Sequence, residues 1–356
     1  MNRAPILFRC DGNPTTGFEP FYQCLLAAGA MQRRRRGTHF LSHLDPLSLA
    51  LPINRGGHEW NDTPTRVGTA DDLDATLREI RRLNAAAVVV AAPDLTEDYL
   101  RELDASGALV VVIDSGADIY FPNRLVINPF LGTGRERYKH EPRTQLLLGM
   151  RYAFVRPVIR RLRPLRAQEP AQPFRAVVAL NDDGDDGVTL RIARLLAADE
   201  RLSRVSVFAR MHHPQLEEIR EFAAGFDGRL DVITEPQELS ARTSRCHFAV
   251  TAGDGLSLEF ACVGVPQLMT VVNDRHLINA RTLDEEGVAT FLGSAAEFND
   301  DAFREAVEIL LTDPMERQGM ARCGRQLIDG RGPDRFVTAV EILLHPVQAP
   351  TLRIAA

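Results

Sequence analysis

The stretch HFAVTAGDGLSLEFACVGVPQLMTVV, residues 247–272, decides the fold class of this chain. It reads as an apolar strand, a turn of small residues over 251–255, a helix from Ser257 and a second apolar strand. Two strands joined through a helix are the unit of a parallel sheet covered by helices. Gly253 and Gly255 let the backbone approach a ligand closely, and the free N–H groups of the first helical turn favour an anion there. The turn is therefore a candidate binding site.

The same alternation of apolar runs and helical spacing extends along the chain in both directions. In the first half we predict strands at 5–9, 39–41, 86–91, 109–113 and 124–127, with helices over 69–83 and 95–107. In the second half we predict strands at 175–180, 204–209, 230–234, 247–251 and 266–272, helices over 188–197, 214–224 and 277–286, and two further helices before His345. Thr69 or Asp71 can cap the helix over 69–83. The segment 45–66 has no clear period and is a long loop or a short hairpin.

These elements predict an α/β protein with doubly wound parallel sheets. We expect two domains, because a chain of 356 residues is longer than a domain with one hydrophobic core usually is. We expect the first domain at residues 1–163, a linker at 164–173, the second domain at 174–345 and a tail at 346–356. The final helices are candidates to cross back over the first domain. Ligands of such sheets bind outside the carboxyl ends of the strands, so the cleft between the two domains is the expected site.

The composition is that of an ordinary soluble globular protein, with 45% hydrophobic residues and a net charge of −6. Nucleic acid and anionic membranes call for a basic surface, so neither is an expected partner. The dense basic run at 33–36 falls at the C-terminus of the first helix, where it complements the helix dipole. No window approaches the roughly 20 apolar residues of a membrane span, and the five cysteines form no CxxC pair. A reducing cytoplasm fits these features.

No metal site and no cofactor are predicted. The run DDGDDG at 182–187 lacks the bidentate glutamate of a calcium loop and precedes a helix, so N-capping explains it better. His212 and His213 are adjacent and diverge on most backbones. No cysteine or carboxylate cluster stands near them in the sequence to complete a metal site.

Glu259 lies in the first turn of the helix that starts at Ser257. Its carboxylate is placed to accept hydrogen bonds from vicinal hydroxyls such as those of ribose. In the alternative interpretation the turn is only a tight strand-to-helix connection, and Glu259 merely complements the helix dipole.

The segment 247–272 resembles the nucleotide-binding turn of two-domain GT-B glycosyltransferases. It resembles more closely the nucleotide-sugar hydrolases of pseudaminic acid biosynthesis and their spore-coat polysaccharide relatives. Similar stretches follow in the same order along most of the chain: ILFRCDGNPTTGFEPFYQCLLAAG (6–29), VVVIDSGAD (110–118), INPF (127–130), LLLGMRYAFVRPVI (146–159) and GVPQLMTVVNDRHLINARTLDEEGVATFLG (264–293). The resemblance implies a GT-B-like fold of two Rossmann-like domains facing an interdomain cleft. It also implies nucleotide binding by Gly253, Asp254, Gly255, Leu256, Ser257 and Glu259.

Three loops depart from that family. Its members ordinarily carry Gly-x-Gly-His in the first loop, with the histidine taken as catalytic, whereas this chain has GFEP at 17–20. Proline has no titratable group, so the family's base is absent. The family's Gly-Gly-Ser-type loop at the start of the second domain is replaced by NDDGDDG at 181–187, whose aspartates would repel a diphosphate. The family's Asn-Gln pair falls on Arg-His at 275–276.

Two interpretations of these changes stay open. In the first, the anion site has been rebuilt, with Arg275 as a fixed charge, His276 as a group titrating near neutrality, and Glu19 or Asp11 as alternatives to His276 for the base. In the second, the chain binds without turnover.

The first interpretation predicts a glycosyltransferase-type enzyme in glycan or secondary-metabolite biosynthesis, acting on a UDP- or CMP-activated sugar and an unknown acceptor. A nucleotide-sugar hydrolase with a substitute base is the alternative reaction. The residues expected to bind the sugar or the acceptor are Asn13, Gly17, Asp114, Asn128 and Arg275.

Overall fold

The computed structural model describes residues 3–180 and 187–345, so the aspartate-rich loop singled out at 181–187 lies almost entirely outside the described residues. The first half contains β1 (Ile6–Cys10), α1 (Glu19–Arg33), β2 (Thr38–Ser42), α2 (Ala50–Arg55), β3 (Glu59–Asp62), α3 (Ala70–Leu83), β4 (Ala87–Ala91), α4 (Glu97–Ala105), β5 (Leu109–Ile113), β6 (Tyr120–Phe121), β7 (Leu125–Asn128), β8 (Lys139–His140), β9 (Gln145–Leu148) and α5 (Pro157–Arg160). The second half contains β10 (Phe174–Ala179), α6 (Val188–Ala197), β11 (Leu202–Phe208), α7 (Leu216–Ala224), β12 (Leu230–Ile233), α8 (Pro236–Thr243), β13 (Phe248–Thr251), α9 (Gly255–Val263), β14 (Gln267–Val271), α10 (Leu277–Glu285), β15 (Ala289–Ser294), α11 (Asp300–Thr312), α12 (Pro314–Leu327) and α13 (Gly332–Leu344).

The two large sheets are parallel and doubly wound, as the sequence predicted. The first has seven strands in the order β3-β2-β1-β4-β5-β7-β9, and the second has six in the order β12-β11-β10-β13-β14-β15. In each sheet the chain begins at an inner strand, builds one edge and then crosses over to build the other. That reversal opens a crevice at the carboxyl ends of the strands, which is where such sheets bind ligands.

The central strands are mainly apolar because helices cover both faces of each sheet. Strands β4 (AVVVA) and β10 (FRAVVA) illustrate this, since every residue of β4 and the last four of β10 are buried. The predicted cap of α3 is also confirmed, because the hydroxyl of Thr69 accepts a hydrogen bond from the backbone N–H of Asp72 at 3.3 Å.

Some predictions about the elements were wrong. The segment 45–66 is neither a loop nor a hairpin: it contains α2 and then β3, which pairs in parallel with β2 at the edge of the sheet. Strand β15 was missed because its residues are mostly half-buried and give no continuous apolar run. Three helices follow it, α11, α12 and α13, where two were predicted.

The last helix crosses back onto the first sheet, as anticipated. Phe336, Val337 and Val340 of α13 are buried in the same apolar cluster as residues of β1 and α1. The Arg36 guanidinium adds an ion pair to Glu341, with Nε 2.8 Å from Oε1. By its packing, α13 belongs to the first half rather than to the predicted second domain.

The segment expected to be a linker is packed against the second sheet at its start. Residues Pro164–Arg166 form a short 3-10 turn. The Arg166 guanidinium is buried and donates to the carbonyls of Cys246 and Gly264 at 2.6 and 3.2 Å. Among the helices of the described residues, none has the length and apolar character needed to cross a bilayer.

Candidate functional site

A polar cavity of about 540 Å³ lies between the two halves, at the carboxyl ends of the strands. The loops after β1, β4 and β5 form one wall, and the loop after β14 forms the other. Its lining includes five residues predicted for the site, namely Gly17, Glu19, Asp114, Arg275 and His276. The folded chain therefore brings together residues separated by up to 259 positions, from Gly17 to His276.

Glu19 is the first residue of α1 and stands between this polar cavity and a second one. The second cavity has a volume of about 230 Å³, is lined mainly by apolar side chains, and shares Glu19, Gln23 and Phe130 with the polar cavity. The Gln23 amide donates to Oε1 of Glu19 at 3.2 Å. A Cβ built on Gly255 would lie 2.8 Å from the same oxygen. Glu19 thus extends from the first half to the start of α9 in the second.

Asp114 follows β5 and borders the polar cavity. Its Oδ2 accepts hydrogen bonds from the Tyr138 hydroxyl and the Ala117 N–H, each at 2.9 Å. Burial raises the pKa of the Asp114 carboxyl above its usual range, against the opposing effect of these donors. A carboxyl with a raised pKa at the wall of a cleft is a candidate for proton transfer.

Arg275 and His276 reach the polar cavity from the second half, but they differ in exposure. The Arg275 side chain is half-exposed and lies 4.0 Å from Asp94 of the first half. His276 is buried beside Phe130, with ring centroids 5.4 Å apart. Burial, assisted by the charge of Arg275, lowers the pKa of His276 to about 4. The expectation that His276 titrates near neutrality is therefore wrong.

Asp11 is not available as a base. Its carboxylate is buried and accepts from the Arg9 guanidinium at 2.5 Å and from the N–H groups of His43 and Val67 at 3.0 and 2.9 Å. Arg9 in turn donates to buried Asp72 at 2.5 Å. This network joins β1 to the segments that follow β2 and precede α3, so its role is structural.

Asn13 and Asn128 also satisfy the backbone rather than face the cavity. The Asn13 side-chain oxygen accepts from the N–H groups of Thr15 and Thr16, each at 3.0 Å, and shapes the first loop. Asn128 is fully buried, with its amide donating to the Tyr138 hydroxyl at 3.0 Å. The prediction that these two residues bind substrate finds no support in their positions.

The turn before α9 reaches the cleft, but much of it is occupied by its own side chains. Asp254 caps the helix, because its Oδ1 accepts from the Ser257 N–H at 3.2 Å, and both residues are buried. Gly253 has a φ of +74°, and a Cβ there would lie 2.7 Å from the Cβ of Ala280, so only glycine fits. Of the predicted nucleotide-binding residues, Gly255, Leu256 and Glu259 line the apolar cavity.

Glu259 has a partner that the sequence did not reveal. Its Oε1 accepts from the backbone N–H of Arg156 at 2.9 Å, and its Oε2 accepts from Nη2 of the same residue at 2.6 Å. Nε of Arg156 bonds to both oxygens. The carboxylate is thus engaged on both oxygens, which corrects the expectation that it accepts from ribose. The ion pair between Glu259 and Arg156 connects the second half to the first.

Other residues of the site were not singled out individually from the sequence. Phe130, Tyr22 and Phe208 line the apolar cavity, and the Arg210 guanidinium lies over the Tyr22 ring, 4.2 Å from its centroid. Isolated aromatic and arginine positions have no spacing that distinguishes them from core or surface residues. Across residues 3–180 and 187–345, no group of three or more His, Cys, Asp or Glu side chains is arranged to hold a metal ion.

Comparison with known proteins gives partial matches in sequence. No family model matches the chain. The UDP-N-acetylglucosamine–N-acetylmuramyl-(pentapeptide) pyrophosphoryl-undecaprenol N-acetylglucosamine transferase of Phenylobacterium zucineum is 27% identical over 198 residues. That match covers 52% of this chain and 53% of the relative, so the chain spans about half the length of the curated relative it matches.

Solved structures match over nearly the whole chain. Acinetobacter baumannii MurG superposes with a TM-score of 0.66 at 12% identity, covering 95% of this chain and 99% of that one. The UDP-GlcNAc 2-epimerase of Neisseria meningitidis, bound to UDP-GlcNAc, gives 0.62 at 10% identity, with coverages of 95% and 99%. The chain has the GT-B fold of two parallel-sheet domains. Because a solved calicheamicin glycosyltransferase (TM-score 0.61) and the epimerase both match this fold, the fold does not by itself identify the reaction.

Proposed function

We propose that this protein is a glycosyltransferase-type enzyme that binds a nucleotide-activated sugar between its two halves. The observation that carries the proposal is the polar cavity, where Glu19 and Asp114 of the first half face Arg275 of the second. The GT-B fold and the partial sequence similarity to a UDP-sugar-dependent transferase support the same class. Carboxylates opposite a cation suit a reaction in which an acceptor hydroxyl loses its proton and bonds to the anomeric carbon, while the bond from that carbon to the nucleoside mono- or diphosphate breaks.

In this proposal Glu19 is the base for the acceptor hydroxyl. It stands at the junction of the two cavities, so a hydroxyl bound in one cavity could lose its proton to Glu19 while the sugar occupies the other. Asp11 is a weaker candidate because its carboxylate already accepts from the Arg9 guanidinium, and His276 is weaker because burial lowers its pKa to about 4. Asp114 is the second candidate.

The charge on the leaving nucleoside phosphate would be stabilised by arginines of the second half. Arg275 borders the polar cavity and Arg210 borders the apolar one. Guanidinium groups bind phosphate oxygens through two parallel N–H donors. The start of α9 contributes less than expected, because Asp254 caps it and the Glu19 carboxylate lies over Gly255.

The test is a single-turnover reaction with UDP- and CMP-activated sugars, run with and without a panel of hydroxyl acceptors. Glu19→Gln should lower the rate by roughly 10²-fold or more while leaving nucleotide affinity within about twofold, since general base catalysis contributes on that scale. Glu102→Gln, at an exposed position of α4, is the matched control. No saturable binding of any uridine or cytidine nucleotide would refute the proposal.

Hydrolysis by a substitute base is the second candidate reaction, favoured by the sequence resemblance to nucleotide-sugar hydrolases of pseudaminic acid biosynthesis. It would release free sugar at the same rate whether or not an acceptor is present. Binding without any turnover, unchanged in Glu19→Gln, would instead identify a nucleotide-sugar-binding protein. The resemblance is also what supports a place in glycan or secondary-metabolite biosynthesis.

A further inference from the structure

A third cavity, of about 430 Å³, lies at the opposite edge of the second sheet from the cleft. Its wall includes His247, which directly precedes β13, and Gly264 and Pro266, which precede β14. These positions are at the amino ends of the strands, whereas the polar cavity lies at the carboxyl ends. The third cavity is therefore separate from the proposed reaction site.

The wall of the third cavity carries an excess of positive charge, and we call it the basic cavity. Four arginines line it against one carboxylate: Arg166, Arg317, Arg322 and Arg325 against Glu169. Glu169 is already paired with Nε of Arg317. His247 adds no charge at neutral pH, because burial lowers its pKa to about 4.

Two arginines of this cavity, the buried Arg166 and the half-buried Arg325, donate to backbone carbonyls. Arg166 donates to the carbonyls of Cys246 and Gly264, and Arg325 donates to the carbonyl of Arg166 at 3.1 Å. Carbonyl oxygens accept hydrogen bonds but leave the net charge in place. The pKa values of both Arg166 and Arg325 are lowered, first by burial and then by the charge of a neighbouring arginine.

Two buried nitrogens in the wall, Nε of Arg166 and Nε2 of His247, have no hydrogen-bond partner in the described part of the chain. Nε of Arg166 is buried without a hydrogen-bond partner there, although the residue as a whole is only 3% exposed. A buried donor of a charged group left unsatisfied is unfavourable, and an anion entering the cavity would relieve both the missing bond and the excess charge. Arg322 is exposed at the cavity rim and can approach such an anion from the solvent side.

We propose that this basic cavity binds an oxyanion of the phosphate class. Several guanidinium groups around one cavity match the bidentate geometry that phosphate oxygens accept. The volume of about 430 Å³ is large enough for a phosphate or diphosphate group. The source is either a soluble phosphorylated molecule or the phosphate of a lipid headgroup.

The experiment titrates the full chain with inorganic pyrophosphate by calorimetry and compares charge variants. Arg322→Glu should weaken binding by roughly tenfold or more, because it replaces a charge-assisted donor with a repelling carboxylate. Glu169→Gln should tighten binding several-fold, because it removes the one anion that competes for the arginines. Arg78→Glu, at an exposed position of α3, makes the same charge change far from the cavity and should leave binding unchanged.

Two further experiments show whether the bound phosphate belongs to a soluble molecule or to a lipid, and whether binding occurs in the basic cavity rather than in the cleft. Arg275→Ala should leave the Arg322-dependent part of pyrophosphate binding unchanged, since Arg275 belongs to the polar cavity. Sedimentation with phosphatidylcholine vesicles containing phosphatidic acid, weakened by Arg322→Glu, would assign a lipid headgroup, and pyrophosphate binding alone would assign a soluble ligand. The proposal fails if neither reagent distinguishes wild type from Arg322→Glu and Glu169→Gln, or if only Arg275→Ala abolishes binding.

Discussion

The ion pair between Arg156 and Glu259 gives a sharp test of how the two halves are held together. Glu259→Gln keeps the size of the side chain but removes its charge and turns one acceptor into an N–H₂ donor that faces the guanidinium. Removing one partner of a buried pair typically costs about 3–5 kcal/mol. The Arg156 side chain is 20% exposed, so water recovers part of that loss. We expect a decrease of roughly 2–3 kcal/mol in the free energy of unfolding.

Thermal and urea unfolding of the single variants Glu259→Gln and Arg156→Met, and of the double variant, measure this coupling. A loss of about 2–3 kcal/mol corresponds to a fall of roughly 5–10 °C in the unfolding temperature for a domain of this size. Because the two side chains are in contact, the double variant should lose less stability than the sum of the single ones. Glu97→Gln removes the exposed ion pair between Glu97 and Arg101. This control variant should unfold like wild type.

Two results would refute this reasoning. Strictly additive effects in the double variant would show that the two side chains do not stabilise each other. An unchanged unfolding temperature in Glu259→Gln, combined with a loss of uridine nucleotide affinity, would restore the interpretation that Glu259 binds ribose.

Three other features give direct expectations. Asp72→Asn should lower the free energy of unfolding by roughly 3–5 kcal/mol, because it leaves the buried Arg9 guanidinium with less counter-charge, and an unchanged urea midpoint would contradict this. Gly253→Ala should destabilise the protein more than Gly293→Ala, because both have positive φ but only position 253 also meets neighbouring atoms, and equal unfolding temperatures would argue against that contact. Burial lowers the pKa of His276 to about 4, below its unfolded value near 6.5, so the unfolded state takes up the proton first as pH falls. Stability should therefore be lost between pH 6.5 and 4, by up to about 3 kcal/mol for this group, and His276→Gln should show a shallower loss in urea unfolding over that range.

The fold could be predicted from the sequence because its physical signals are local. Strands buried on both faces, such as β4 and β5, are continuous apolar runs, and α3 shows both helical spacing and a threonine cap. Strand β15 and the edge strand β3 escaped prediction because they are partly exposed and lack such runs. Their pairing depends on neighbouring strands that are distant in the sequence.

The candidate site was only partly predictable. Residues after buried strands, such as Asp114 and Arg275, were expected at the cleft because strand ends of a parallel sheet meet at one edge. The sequence could not show which carboxylates are already paired. Asp11 and Glu259 are each paired with an arginine, and those partners lie 2 and 103 positions away with no common spacing.

The return of α13 to the first half has a mechanical consequence. The second sheet lies between two crossings of the chain, and these crossings touch: Nη1 of Arg335 donates to the carbonyl of Arg151 at 2.6 Å, and Nη1 of Arg163 bonds to the carbonyl of Ile328. Two adjacent connecting segments let one half rotate relative to the other about the line that joins the segments. They resist sliding of one half past the other and twisting about any other axis. We therefore expect the protein to open and close by a hinge motion whose axis runs through these crossings, and this motion would separate Glu19 from Gly255.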